Sequence, residues 1–234
     1  DGTLQNALLY RDPALSELPR AGIVHRLDKD TTGLMVVGRS QAAYKRLVEA
    51  IAARRVQREY RALVVGSMPA GGTIALPNGR HPTQRTRMAV NPLCKPAVSH
   101  FRVLERFRGY TLLQVMLETG RTHQIRVHMA HLRHPVFGDP QYGGRLRLPA
   151  GASEALKQVL RSFKRQALHA KRLAFVHPIQ QRSMRFECAL PADMRVVIDA
   201  LARDANVHWR EPEHEDVAGF EEIEGLDQYA DGRD

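Results

Sequence analysis

An α+β fold built on a largely antiparallel sheet is predicted by three features of the 234-residue chain. Strand-type runs outnumber helical ones, neighbouring runs are mostly joined by tight hairpin-like turns, and Gly and Pro gather in two long connections. Residues 23–27 and 34–38 read as short strands around a polar turn from Asp28 to Gly33. Residues 41–54 carry Ala43, Leu47, Ala50 and Ile51 on one face and Lys45, Arg46 and Arg54 outside it, the pattern of an amphipathic helix. Residues 59–66 form a strand that ends at Gly66 and Pro69. The Gly- and Pro-rich stretch 71–96 reads as a hairpin or long loop. Residues 98–107 and 110–118 make a hairpin broken at Arg108-Gly109. Thr122 is placed to cap a helix that carries Ile125, Met129 and Leu132 on one side. A second Gly/Pro-rich loop covers 134–151, followed by a helix over 153–160, strands over 168–176 and 184–189, and a last helix over 191–203.

Composition narrows the class further. With 43% apolar residues the chain can bury a real core, in one large domain or two small ones. Its longest apolar runs, such as 34–37 and 62–65, fall far short of the roughly 20 residues a membrane helix needs, so no membrane span is expected. The opening DGTLQNALLY has an acid and amides where a signal peptide needs a basic and then an apolar segment. Two cysteines without a CxxC pair exclude a disulfide scaffold and a Cys-based zinc site, and favour a reducing, cytoplasmic setting.

The formal net charge is +10, and it is unevenly spread. Residues 210–234 hold ten acidic and two basic side chains, a net of −8, which leaves +18 on residues 1–209. The chain is therefore read as a basic body, 1–209, and an acidic, flexible, solvated tail, 210–234. A body this positive attracts polyanions, of which nucleic acid is the commonest.

Three segments carry candidate chemistry. In His25-Arg26-Leu27-Asp28-Lys29-Asp30-Thr31-Thr32-Gly33, charged and hydroxyl side chains occupy a turn between two apolar strands, where they project into a cleft. The Asp28 carboxylate stands between the cations of Arg26 and Lys29, which suits a nucleophile or base; the alternative is an Asx-turn that only closes the connection. In Gly120-Arg121-Thr122-His123-Gln124-Ile125-Arg126, a glycine turn opens a helix whose first turns carry Arg, His, Gln and Arg. That arrangement suits an anion or carboxylate brought to the helix start, or else a solvated basic face. In Arg58-Glu59-Tyr60-Arg61, alternation puts Tyr60 on the inner face with Ala62 and Val64. The histidines at 128, 131 and 134 have no interleaved acid and stand among arginines, so no metal site is expected. The chain has no HExxH, P-loop, GxGxxG or GxSxG.

Taken in order and spacing, HRLDKDTTGLMVV, REY, GRTHQIRVHMAHLRHPVFGDPQYGG and QALHAKRLAFVHP resemble the RluA-type RNA pseudouridine synthases over about residues 1–205. HRLDKDTTG differs from the commoner HRLDxxTSG only in Thr32. The resemblance implies a long mixed sheet, mostly antiparallel, with flanking helices around one central cleft. It implies that Asp28 is the essential aspartate, that Tyr60 packs under the target base, that Arg126 pairs with Asp28, and that Arg26 displaces the target uridine from its stack. His25, Lys29 and Thr32 from the first segment, and Arg121, His123 and Gln124 from the second, join Arg26 as candidate RNA contacts. The family's catalytic region normally opens with an NKPxGxxxH-type strand, preceded in this branch by an S4 domain, so a fragment lacking both is expected.

The implied reaction breaks the C1′–N1 bond of uridine, turns the base and forms C1′–C5. No atoms are added, so no cofactor is expected. The implied partner is RNA, large-subunit ribosomal RNA first, with the protein acting as a monomer. Two rival readings follow from the same residues. One is a non-catalytic basic RNA-binding module. The other is a glycoside hydrolase that pairs Asp28 with Asp30 or Asp139.

Overall fold

A computed structural model describes residues 2–212. Its elements in chain order are α1 (Leu4–Arg11), β1 (Thr32–Gly33), α2 (Gln41–Ala52), β2 (Gln57–Val65), β3 (Gly72–Ala75), β4 (Asn78–Arg80), β5 (Met88–Val90), β6 (Val98–Phe107), β7 (Tyr110–Leu117), α3 (Gln124–His131), α4 (Glu154–Ser162), β8 (Leu168–Val176), β9 (Ser183–Glu187) and α5 (Ala192–Asp204). Seven strands form one sheet in the order β1-β8-β2-β7-β6-β3, with β9 also on the outer side of β8. All of its pairings are antiparallel except β1 with β8. β4 and β5 form a separate hairpin. The class is α+β with a mostly antiparallel sheet.

The centre of the sheet is β2, bonded to β7 on one side and β8 on the other. A strand so placed is covered on both faces, and every residue from Arg58 to Val65 is buried. The main core joins β2, β6 and β7 to one side of α3 and to α4 and α5, through Leu63, Leu112, Met129, Leu156, Leu160 and Ile198. A smaller core packs Leu47 of α2 against Leu173 and Phe175 of β8. Helix α4 starts at Ser153, whose hydroxyl accepts from the Leu156 amide, and α2 starts at Ser40 in the same way.

Four expectations change. Residues 23–27 and 34–38 do not pair as two strands; they meet at a single bridge, Ile23 with Val37. The polar turn between them instead bonds across the chain to β8, where Thr32 and Gly33 run parallel to His169 and Ala170. Thr122 does not cap α3. The helix begins at Gln124, and its cap position is His123 in the left-handed region at φ 56°, with no side-chain cap bond. The helix is also not one-sided, since Gln124, Arg126 and His128 are buried along with Ile125 and Met129. Of the acidic stretch 210–234, residues 213–234 lie outside the described residues, while Glu211 is ion-paired with Lys171 at 2.9 Å and so belongs with the body.

The register of β2 against β8 shifts between Glu59 and Tyr60: Glu59 stands opposite Arg172 and Tyr60 opposite Ala170, so Lys171 is an extra residue in β8. Bulges of this kind re-aim side chains beside functional sites. Arg58 and Tyr60 share one face of β2. Glu59 and Arg61 share the other, where they bond each other and Arg172 pairs with Glu59 at 3.4 Å.

Gly33 locks the polar turn to β8. It has φ +113°, and a Cβ there would lie 2.2 Å from the Ala170 carbonyl oxygen, the acceptor of the Leu34 amide. Gly33→Ala is expected to cost ~1–3 kcal/mol from the backbone conformation alone, more with the clash, read as a lowered urea midpoint. An unchanged midpoint would show that the turn is not held this way.

Candidate active site

The polar turn is held from behind. The Thr31 amide bonds the Asp28 carbonyl at 3.0 Å, and Asp30 takes φ +66°. The Gln166 amide donates to the Lys29 carbonyl and to the Thr31 hydroxyl, and Arg165 donates to the Asp30 carbonyl. With its backbone fixed, the turn presents the Asp28 carboxylate, 13% exposed, to the buried guanidinium of Arg126.

Arg126 comes from the first turn of α3. Its Nη1 donates to Asp28 Oδ2 at 3.3 Å, while Nε and Nη2 donate to Asp139 Oδ2 and Oδ1 at 2.6 and 3.0 Å. Asp139 has a fully buried side chain and also accepts the amides of Gln141 and Tyr142. The Tyr142 ring lies against the guanidinium, 5.0 Å from Cζ to its centroid. Burial works against the Arg126 charge, but hydrogen bonding and attraction from Asp139, then Asp28, outweigh it, so its pKa is raised. One cation is thus anchored by two bonds to one carboxylate and reaches the other with its remaining nitrogen.

Asp28, at the end of this chain of contacts, borders an open cleft of about 440 Å³. Its lining includes Arg26, His25, Asp28, Tyr60, Arg121, His123 and Gln124 from the sequence-nominated set. The Tyr60 phenol is buried, and this, set against the opposing pull of Arg58 and reinforced by Asp28, raises its pKa to about 12. Arg26 and Arg121 are exposed at the rim with Arg20 beside them, while Arg54 is paired there with Glu118, so the mouth of the cleft carries a net positive charge. The Tyr142 oxygen accepts from the Met88 amide and lies in hydrogen-bond contact with His123 Nδ1 at 2.8 Å. His123 has its pKa lowered, by burial first.

Three nominated side chains are used differently from a substrate contact. The Thr32 hydroxyl turns away to His169 Nδ1 at 2.8 Å, and Lys29 is exposed outside the cleft. Gln124 borders the cleft, but its oxygen accepts from the Thr119 hydroxyl and the Arg121 amide, and its nitrogen donates to Val98 and Ser99. With its amide fully engaged, Gln124 ties the helix start to the preceding turn and to β6, without capping the helix. Among the histidines 128, 131 and 134, His128 bonds Ser99 and the Leu76 carbonyl, His134 bonds the Val65 carbonyl, and His131 is exposed. Asp139 entered the sequence reading only as an optional partner of Asp28 in the rival hydrolase, and its contact with Arg126 was not foreseen. As a bidentate partner of Arg126 with no exposed surface, it has no free carboxylate for a hydrolase pair. Its sequence signal was an isolated acid after a run of arginines.

His25 also has a structural duty: its Nε2 accepts the Val36 amide at 2.9 Å, and its Nδ1 is buried without a partner among the described residues. Burial, then the nearby Arg58 charge, lowers its pKa to about 4. The unfolded chain, with a histidine pKa near 6.5, therefore binds more protons between pH 6.5 and 4. Stability should rise with pH across that window, by up to ~1.4 kcal/mol per pH unit for this group. His123, His128 and His169, also lowered chiefly by burial, act in the same direction. Urea midpoints at pH 7 and pH 5 should differ, and the difference should shrink in His25→Gln. A His25 titration midpoint near 6.5 by NMR would contradict the assignment.

Comparison with known proteins follows the same lines. The chain is 57% identical over 208 residues to ribosomal large subunit pseudouridine synthase D of Vibrio vulnificus and 56% identical over 208 residues to that of Escherichia coli K12, covering 89% of this chain in each case. It spans 64% of the length of these curated relatives. Among solved structures, human RNA pseudouridylate synthase domain containing 1 superposes with a TM-score of 0.61 at 27% identity, covering 90% of this chain and 87% of that one. Human RNA pseudouridylate synthase domain containing 4, at 24% identity and a TM-score of 0.61 over 81% of this chain and 77% of that one, shares the fold. Residues 2–131, from the first helix through the polar turn, the tyrosine strand and the arginine helix, match the model of the RNA pseudouridylate synthases, and it is to this family that the chain belongs.

Proposed function

We propose that this chain isomerises uridine to pseudouridine in RNA, with large-subunit ribosomal RNA as its substrate. On this reading it works in the cytoplasm, where the bacteria of the matching relatives assemble ribosomes. The observation that carries the reading is the Asp28–Arg126–Asp139 arrangement beside a cationic cleft with a tyrosine in its wall. An RNA-binding surface gains nothing from a carboxylate at its centre, because a carboxylate repels phosphate.

Within this reading the roles divide by position. Exposed Arg26, Arg121 and Arg20 meet the phosphates around the target, a salt-dependent contribution to affinity. The uridine leaves its stack at a cost of a few kcal/mol, which Arg26 offsets by filling the vacated place. Tyr60 gives the base a flat wall, and burial keeps its phenol protonated at physiological pH. Asp28 acts on the ribose, either by attack on C1′ or by taking the C2′ proton; both routes need its oxygen held at the sugar, and Arg126 holds it there. Arg126 in turn is aimed by Asp139, a positioning residue that does not touch the substrate.

Asp28→Asn is expected to remove pseudouridine formation by at least ~10⁴-fold while RNA affinity stays within a few-fold, measured by nucleoside mass spectrometry and filter binding on a transcribed large-subunit rRNA fragment. Pseudouridine formed at the wild-type rate by this variant would end the proposal, and free uracil released by the wild type would mark a hydrolase instead. Asp139→Asn keeps the two amide contacts but weakens the grip on Arg126. Its expected effect is a ~10²-fold fall in kcat with KM little changed, the signature of a misplaced catalytic group. A loss confined to KM would assign Asp139 to binding.

A further inference from the structure

One charged side chain of the cleft has no part in the mechanism above. Arg58 precedes Tyr60 by two residues on β2, and the pleat turns both toward the cleft. It is 6% exposed. The other buried arginines, Arg61, Arg126 and Arg172, are all ion-paired. Arg58 has no carboxylate partner among the described residues. Its one hydrogen bond is long, Nη2 to the Glu118 carbonyl at 3.4 Å, and its Nε is buried without an acceptor. The backbone moulds itself to the group, since a Cβ on Gly120 would lie 2.5 Å from Arg58 Nη1. His25 Nδ1, the second unpartnered buried nitrogen of the cleft, lies close enough to feel the Arg58 charge.

Burying an uncompensated cation is unfavourable, and burial pulls the Arg58 pKa down. A guanidinium does not escape by giving up its proton, so the cost stands until an anion arrives. Two anions enter this cleft if the chain is an isomerase: the phosphates of the RNA and the base itself once detached. Phosphates are solvated and peripheral, and the exposed rim arginines suit them. Arg58 lies deep, beside the hydroxyl end of the ring that flanks the base.

We propose, on the reading that the chain is a uridine isomerase, that Arg58 is a catalytic residue that stabilises the uracil anion released when the glycosidic bond breaks. In that step the C1′–N1 electron pair leaves with the base and spreads over N1, O2 and O4. Meanwhile C1′ is taken up by the Asp28 carboxylate, or the C2′ proton passes to it. The base carries one negative charge until C5 attacks C1′. That attack uses the pair for the new C1′–C5 bond and releases Asp28 from C1′, or, on the other route, Asp28 returns its proton to C2′; C5 then loses its proton and N1 gains one. Arg58 faces the charge that exists only between these two bond changes, the condition under which a fixed donor lowers a barrier.

The test compares leaving groups. Single-turnover rates are measured for the wild type and Arg58→Met on an rRNA fragment containing uridine, and on the same fragment transcribed with 5-fluorouridine, whose base is the more acidic leaving group. Arg58→Met should slow uridine conversion by ~10²–10³-fold, and the deficit should shrink at least several-fold on the fluorinated RNA. Arg58→Lys, which keeps the charge, should recover part of the loss; if the Met variant does not fold, the same comparison on Arg58→Lys decides. Equal deficits on both RNAs would overturn the proposal. So would an unchanged rate with weaker, less salt-dependent binding, which would assign Arg58 to phosphate. A wild-type chain that makes no pseudouridine on any rRNA fragment, with folding verified, would overturn the isomerase reading itself, which separates the two failures.

Discussion

The site depends on one guanidinium shared unequally between two carboxylates. Arg126 is bound twice by Asp139 and once, at longer range, by Asp28. The inequality is useful. A cation held only by Asp28 would follow that side chain wherever it moved. Held from behind by a fully buried carboxylate and braced by Tyr142, it becomes a fixed point against which Asp28 is set. The elements around it serve this fixity: α3 is buried on nearly every side, and the turn after it is pinned by two amides donating to Asp139.

Opposing electrostatic regimes meet across β2. One face presents Arg58 and Tyr60 to the cleft. The other buries Glu59 and Arg61 in a set of ion pairs with Arg172 and, through Lys171, with Glu187 and Glu211. Behind the strand every buried arginine has an acid; in front, Arg58 has none among the described residues. Compensated charge adds definition to a core at little net gain in stability, whereas uncompensated charge is a standing cost tolerated where a ligand relieves it.

Much of this was legible in the sequence where the signal was local. Alternation and the Arg108-Gly109 turn located β6 and β7, and apolar spacing identified the inner faces of α2 and of β2 at Tyr60. The losses were non-local. Residues 23–38 look like a hairpin, but their polar turn finds its partner in β8, more than 130 residues away, and no local pattern encodes that. Thr122 has the chemistry of a cap, yet the helix starts two residues later without a side-chain cap, and Gln124 ties its start to Thr119 and Val98 instead. Thr32 and Gln124 were nominated as contacts because residue type reports polarity without direction. Asp28 and Arg126, by contrast, came through the family likeness, and their spacing alone left a simple turn and a solvated face equally open.

The extra residue in β8 sets a limit on how this chain can vary. Loops such as the one between β4 and β5 can lengthen without disturbing anything bonded to the sheet. A strand that pairs with β2, β9 and the Thr32–Gly33 bridge at once cannot. Delete Lys171, and either Arg172 slides off Glu59 or His169 slides off Thr32, carrying the aspartate turn with it. The length of one strand is thereby coupled to the position of a carboxylate that lies on a different part of the backbone.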